Sequence, residues 1–246
     1  MGTPDQLQIH TPEKLFGDYL KTVMDMIADH SPFPRGQAND SRRVPKLHAA
    51  RIHLTETVYF GQIVYRALLP QKTVEVCSGY SLPTLTMVKR FGTTGVCVDM
   101  DDDGLAVGRV IAEKLGVSIE QVREDLFDYL RREGKSLQGT TLMATAAYCF
   151  DQERGRPAGS GEEDLVDLAV ENDMDLAILS YRSGETMRTG VSQEKKRLDV
   201  YTDRLVKAGY QVLRHPTKGV LPQVGAPDWF YLEILTAGRE RQALHH

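Results

Sequence analysis

The chain predicts an α/β fold: a seven-stranded, mostly parallel sheet with an N-terminal helical prefix. Two observations carry that expectation. From about residue 70 onward, short β-branched runs alternate with helical stretches, the signature of parallel strands joined by crossover helices. The 246 residues, 41% hydrophobic and 26% charged, suffice for one sizeable α/β core.

Thr11-Pro12-Glu13 offers an N-cap, a proline at the first helical position and an early acid. Leu15, Tyr19, Val23, Met26 and Ile27 then recur at helical spacing, so a helix is expected over 12–29. Residues 30–43, rich in Pro, Gly, Asn and Asp, read as a loop. A second helix is expected over 45–69, with Tyr59, Ile63 and Leu68 on its apolar face. Residues 1–70 thus read as a helical extension or cap, and 71–246 as the ligand-binding unit. In that unit strands are expected at 73–77, 95–99, 121–124, 141–146, 175–180, 210–214 and 229–235. Helices are expected between them at 83–91, 102–115, 126–134, 162–172 and 193–208. The polar stretch from Phe150 to Gly161 reads as a loop at the sheet's carboxyl edge, placed to act as a lid.

Composition excludes several function classes. A net charge of −4 sets up no field toward nucleic acid or an anionic membrane, and Arg42-Arg43 and Lys195-Lys196-Arg197 read as solvated faces. No apolar run approaches the roughly 18 residues of a membrane span. A charged segment followed by an apolar one is not found at the N-terminus, so no signal peptide is expected. Cys77, Cys97 and Cys149 are odd in number and sit in apolar runs, which argues against a disulfide framework and for a reducing, cytoplasmic setting. His48 and His53 are five apart on a predicted helix and do not share a face, so no metal site is expected.

Three acids at three successive strand ends carry the chemistry. Val74-Glu75-Val76-Cys77-Ser78-Gly79-Tyr80-Ser81-Leu82-Pro83 follows a strand and opens a helix. In a doubly wound sheet that turn faces the ligand crevice, and its small residues let backbone approach a ligand. Asp99 closes the second strand 24 residues after Glu75, where an acid can accept hydrogen bonds from both ribose hydroxyls. Asp101, Asp102 and Asp103 read as helix-capping acids. Asp125 closes the third strand, placed for an adenine amino group or as an N-cap, with Leu126 beside it.

Over 72–236 these residues resemble the class I S-adenosylmethionine (SAM)-dependent methyltransferase superfamily, although of Gly-x-Gly-x-Gly only Gly79 remains. The resemblance implies a Rossmann-like sheet, its last strand antiparallel, and SAM as cofactor or co-substrate. It implies that Glu75, Ser78, Gly79, Ser81, Asp99, Met100, Asp125, Leu126 and Ala144 border SAM. Small molecules are the expected partners, and a homodimer is left open.

Two stretches narrow the resemblance. Ser78-Gly79-Tyr80-Ser81-Leu82-Pro83-Thr84-Leu85-Thr86 is similar to the turn of nicotianamine synthases, where proline opens the helix and hydroxyl residues follow. Tyr181-Arg182-Ser183 with Arg188, and Asp99-Met100-Asp101, resemble further stretches of that family. Those enzymes and azetidine-2-carboxylate synthases attack the γ-carbon of SAM's aminocarboxypropyl arm and release methylthioadenosine. A site with aromatic walls would hold the sulfonium by cation–π contact; Tyr148 and Tyr181, which follow strands four and five, are the first candidates, with Tyr59, Phe60 and Tyr80 as further ones and Arg182 for the SAM carboxylate. Ring closure by SAM's own amine is the expected reaction. Conventional methyl transfer to a small molecule is the alternative, and a non-catalytic binding module on the same fold is the third.

Overall fold

The computed structural model describes residues 9–30, 43–145, 160–180, 193–216 and 233–239. Seven strands among them form one sheet: β1 (Lys72–Val76), β2 (Thr94–Asp99), β3 (Glu120–Arg123), β4 (Thr141–Thr145), β5 (Asp175–Ser180), β6 (Tyr210–Pro216) and β7 (Glu233–Arg239). Their spatial order is β3-β2-β1-β4-β5-β7-β6. β1 to β5 pair in parallel, while β7 runs antiparallel to both β5 and β6. This is the Rossmann-like class I methyltransferase fold that the sequence anticipates.

Eight α-helices are described: α1 (Pro12–Phe16), α2 (Leu20–His30), α3 (Arg43–Leu68), α4 (Leu82–Phe91), α5 (Asp102–Leu115), α6 (Leu126–Glu133), α7 (Ser160–Glu171) and α8 (Gln193–Lys207). The single helix expected over 12–29 is two. Gly17, at φ 50°, closes α1, and a 3-10 turn over Gly17–Tyr19 leads into α2. A glycine takes left-handed φ without a Cβ penalty, so the helical pattern on both sides does not keep the axis straight. The seventh strand, expected at 229–235, continues to Arg239, where β5 pairs Ser180 with Glu233 and Leu176 with Ala237; residues 229–232 lie outside the described ones.

Alternation along the central strands sorts their side chains into two cores. Val74, Val76, Leu142, Ala144, Leu176, Ile178 and Leu235 gather with α6, α7 and α8 through Leu130, Leu165 and Leu205. Met143, Ala177, Leu179 and Ile234 point the other way, to α3 and α4 through Phe60, Val64 and Met87. Leu54 and Val58 of α3 then join Val23 and Ile27 of α2, Leu85 of α4 and Ile111 of α5 in a third cluster. Each such fully buried aliphatic side chain contributes about 1.5–3 kcal/mol of transfer free energy. α3 is therefore packed on the sheet on one side and under α2 on another, and its Thr57, Glu56 and Gln62 are buried along with its apolar residues. Gln62 also fastens the N-terminal segment, accepting from His10 N at 2.6 Å and donating to His10 O at 2.9 Å. No helix among the described residues is long and apolar enough to cross a membrane.

Candidate functional site

The carboxyl ends of β1, β2 and β3 carry one connected backbone structure. Between β1 and α4 the chain reverses over residues 77–81, with left-handed φ at Cys77 (50°), Gly79 (46°) and Ser81 (57°). These are the three glycine positions of a Gly-x-Gly-x-Gly turn, and the backbone keeps the glycine conformation although two of them are not glycine. A non-glycine residue held there costs of order 1–3 kcal/mol, a strain found mostly where function requires the geometry. At Gly79 an added Cβ would meet nothing within 4 Å among the described residues, so these leave the space in front of the turn open.

Hydrogen bonds hold this shape. Ser81 N donates to Ser78 O at 2.6 Å, and Ser78 N donates to Val98 O at 3.3 Å. Asp99 joins the first two strand ends: its Oδ2 accepts from Gly79 N at 2.7 Å and its Oδ1 from Asp101 N at 2.9 Å. The third end is joined through backbone, Glu124 N donating to Asp99 O at 3.2 Å. Helix α5 comes close because it carries glycine at two turn-facing positions. A Cβ on Gly104 would lie 3.2 Å from Gly79 Cα, and one on Gly108 would lie 3.0 Å from Tyr80 O. Asp101 caps α5, accepting from Asp103 N at 3.2 Å.

The expected site residues fall into distinct places. Ser78 is buried and its hydroxyl has no hydrogen-bond partner among the described residues. Asp99 is half-buried, and Met100 beside it is 58% exposed. Asp125 is the N-cap of α6, its Oδ1 accepting from Phe127 N at 2.9 Å and Asp128 N at 3.4 Å, with Leu126 buried behind it. Ala144 is buried in β4 between Val76 and Ile178. Tyr148, Tyr181 and Arg182 lie outside the described residues, as does most of the expected lid.

Glu75 is 1% exposed, on the face that α4 covers, where its Oε2 accepts from Thr84 N at 2.9 Å. It therefore holds the start of α4, just behind the turn. Burial pushes its pKa up to about 7, against the opposing hydrogen bond from Thr84 and with a smaller push from Asp99. Cys97, its neighbour in register on β2, is a free thiol, driven far above its ordinary range by burial and by the Glu75 charge.

Two expectations are corrected. Phe60 does not wall a ligand; it is fully buried in the α3 core against Met143, Leu179 and Ile234. Cys77 is disulfide-bonded, where the cysteine count argued against disulfides, and Cys97 alone is free among the described residues. The odd count is a poor guide because two cysteines can pair and leave the third buried.

Tyr59 packs partly buried beside the α3 core. Tyr80 stands edge-on to His53 of α3, with ring centroids 6.1 Å apart. Burial lowers the His53 pKa to about 4, so the imidazole is neutral at pH 7. Burial and the Asp101 charge push Tyr80 up to about 12. α3 also touches α4 where its glycine sits: a Cβ on Gly61 would lie 2.7 Å from Pro83 O. The sequence pattern passes over Glu56, which is only 2% exposed on this same helix. The available signal was an acid between Leu54 and Phe60, inside an otherwise apolar and hydroxylic run.

No family model matches the chain, and no curated protein matches it. Solved structures do match in fold. Cofactor-bound Rv0187 from MTB is 14% identical, with 94% of this chain and 99% of that one covered at a TM-score of 0.56. Magnesium protoporphyrin IX methyltransferase (ChlM) from Synechocystis PCC 6803, with bound SAM, is 13% identical over 94% and 98%, at 0.55. The O-methyltransferase TomG from Streptomyces achromogenes, in complex with SAM, is 9% identical over 90% and 89%, at 0.56.

Proposed function

We propose that the chain is a SAM-dependent transferase that moves the SAM methyl group to a small-molecule acceptor. One observation carries this reading. A strand-to-helix turn with three left-handed residues is tied through Gly79 N to an acid at the end of the neighbouring strand. Both lie on a fold shared with SAM-bound proteins.

The residues suit an adenosyl sulfonium ligand. The open face of Gly79 lets backbone approach it. The Asp99 carboxylate has about four lone-pair directions, of which Gly79 and Asp101 take two, leaving two for a ribose diol. Met100 offers an exposed apolar side chain to cover an adenine ring. Asp125 and Leu126 border the far end over β3. SAM supplies an electrophilic carbon on a positive sulfur, and the protein supplies position. Alkyl transfer from a sulfonium is an in-line displacement, so most of the rate comes from holding the partners at attack distance.

Methyl transfer stands first because the solved structures that share this fold and name a reaction are methyltransferases. Arm chemistry rests on the resemblance of the turn over 78–86, of Asp99-Met100-Asp101 and of Tyr181-Arg182-Ser183 with Arg188; this last stretch, with Tyr148, lies outside the described residues. Identification of the nucleoside product separates the two. Purified protein, SAM and a panel of hydroxyl and amine acceptors should yield S-adenosylhomocysteine, and only when an acceptor is present. Methylthioadenosine from SAM alone would replace methyl transfer by ring closure on the aminocarboxypropyl arm. SAM bound without turnover under any of these conditions would leave a binding module.

A further inference from the structure

A disulfide is built into the turn after β1. Cys77 stands at the first of the three left-handed positions, at φ 50°, and it is the bonded cysteine. Cys97 is a free, buried thiol, so the partner of Cys77 lies outside the described residues. The other two left-handed positions have supports of their own. Gly79 carries no Cβ, and Asp99 holds its N–H at 2.7 Å. Ser81 is fully buried at the start of α4, its N donating to Ser78 O at 2.6 Å and its O accepting from Leu85 N at 2.9 Å. Cys77 has neither glycine's freedom nor a place at a helix start. It is only partly buried, against the core on the α6 side of the sheet, and the next donor along the chain, Ser78 N, reaches Val98 O at a longer 3.3 Å.

A cysteine held at this φ stores strain, because its Cβ crowds the backbone carbonyl there. A cross-link on its side chain limits how far the residue can swing, so the bond and the left-handed backbone support each other. Reduction frees that side chain. Rotation of Cys77 into the right-handed region then swings the peptide that leads to Ser78, and Gly79 N is the next donor to move. Gly79 N is the group that Asp99 Oδ2 holds, so the change reaches both the open face of the turn and the acid beside it. A chain whose binding-competent turn is only partly populated binds its ligand with an affinity reduced by that fraction.

We propose that the Cys77 disulfide is a redox switch on SAM binding: the oxidised chain holds the turn ready and binds tightly, and the reduced chain binds weakly. The proposal rests on the SAM reading above. The step is thiol–disulfide exchange with a dithiol. One thiolate attacks a sulfur of the Cys77 bond and the second resolves the mixed disulfide, so the chain gains two electrons and two protons as two thiols while the dithiol leaves as a cyclic disulfide. Calorimetric titration of the full chain with SAM, oxidised and after dithiothreitol, tests it, with alkylation and peptide mass analysis reporting the state of Cys77. Reduction should weaken SAM binding about fivefold to 150-fold, the strain of one left-handed residue. Cys77→Gly, which takes the left-handed turn without a cross-link, should bind as tightly as the oxidised wild type in both samples. Cys77→Ala should bind as weakly as the reduced wild type in both. Equal SAM affinity in oxidised and reduced wild type overturns the switch while the SAM reading stands. Cys77→Ala that binds as tightly as the oxidised chain, or a Cys77 that alkylates in the oxidised sample, overturns it too. A wild-type chain that binds SAM in neither state overturns the SAM reading itself.

Discussion

The Asp99 carboxylate accepts from the backbone N–H of Gly79 at 2.7 Å, and this bond fixes the turn after β1 to the end of β2. The same side chain holds Asp101 N at 2.9 Å. Asp99→Ala therefore removes the anchor of the turn together with the expected ribose acceptor. SAM affinity should fall by about 1–3 kcal/mol, roughly fivefold to 150-fold. Calorimetric titration at constant salt checks this, and unchanged affinity removes Asp99 from the site.

Glu75 makes stability depend on pH in an unusual direction. Burial raises its pKa from 4.5 to about 7, so the folded chain holds this proton more tightly than the unfolded one. The stabilisation is complete below about pH 4.5 and is lost as pH rises through about 7. Glu75→Gln stays neutral and keeps an amide oxygen for Thr84 N. Between pH 5 and 8 the variant should gain on wild type by about 1–3 kcal/mol, since a tenfold change in proton affinity is worth about 1.4 kcal/mol. Parallel melting curves across that range would show that Glu75 ionises normally.

Gly61 lets α3 lie directly on the start of α4. An added methyl would stand 2.7 Å from Pro83 O, a backbone atom that cannot rotate away. Gly61→Ala should cost about 1–3 kcal/mol through overpacking. For a chain of this size that lowers Tm by about 2–4 °C per kcal/mol. A thermal scan with no shift would mean that the two helices separate without cost.

The disulfide at Cys77 gives a simple count. The chain has three cysteines; Cys77 is bonded and Cys97 is free and buried. Oxidised protein should show one reactive thiol per chain after denaturation without reductant, and three after reduction. Three thiols in both samples would contradict the bond.

The central strands were legible because parallel strands buried on both faces read as short, β-branched runs, as in 73–77 and 95–99. Asp99 was legible for the same reason, since it is the last residue of β2; β3 ends at Arg123, and Asp125, expected to close that strand, is the N-cap of α6. The far end of β7 was not legible. Strand propensity falls off after Leu235, but pairing with β5 and β6 carries the strand on to Arg239, through Ala237 and Gly238. α3 reads as amphipathic. Packed on the sheet and beneath α2, it buries Glu56, Thr57 and Gln62 as well, so period alone could not single out Glu56. Glu75 shows a further limit: spacing places an acid on β1, but whether it faces the ligand or the helix behind depends on the pleat.

The most direct measurement is a crystal structure grown with SAM. The account predicts adenosine density against the open face of Gly79, with both ribose hydroxyls on Asp99 and the adenine ring beside Met100. Clear density for SAM elsewhere on the chain, or an empty turn at saturating SAM, would contradict it.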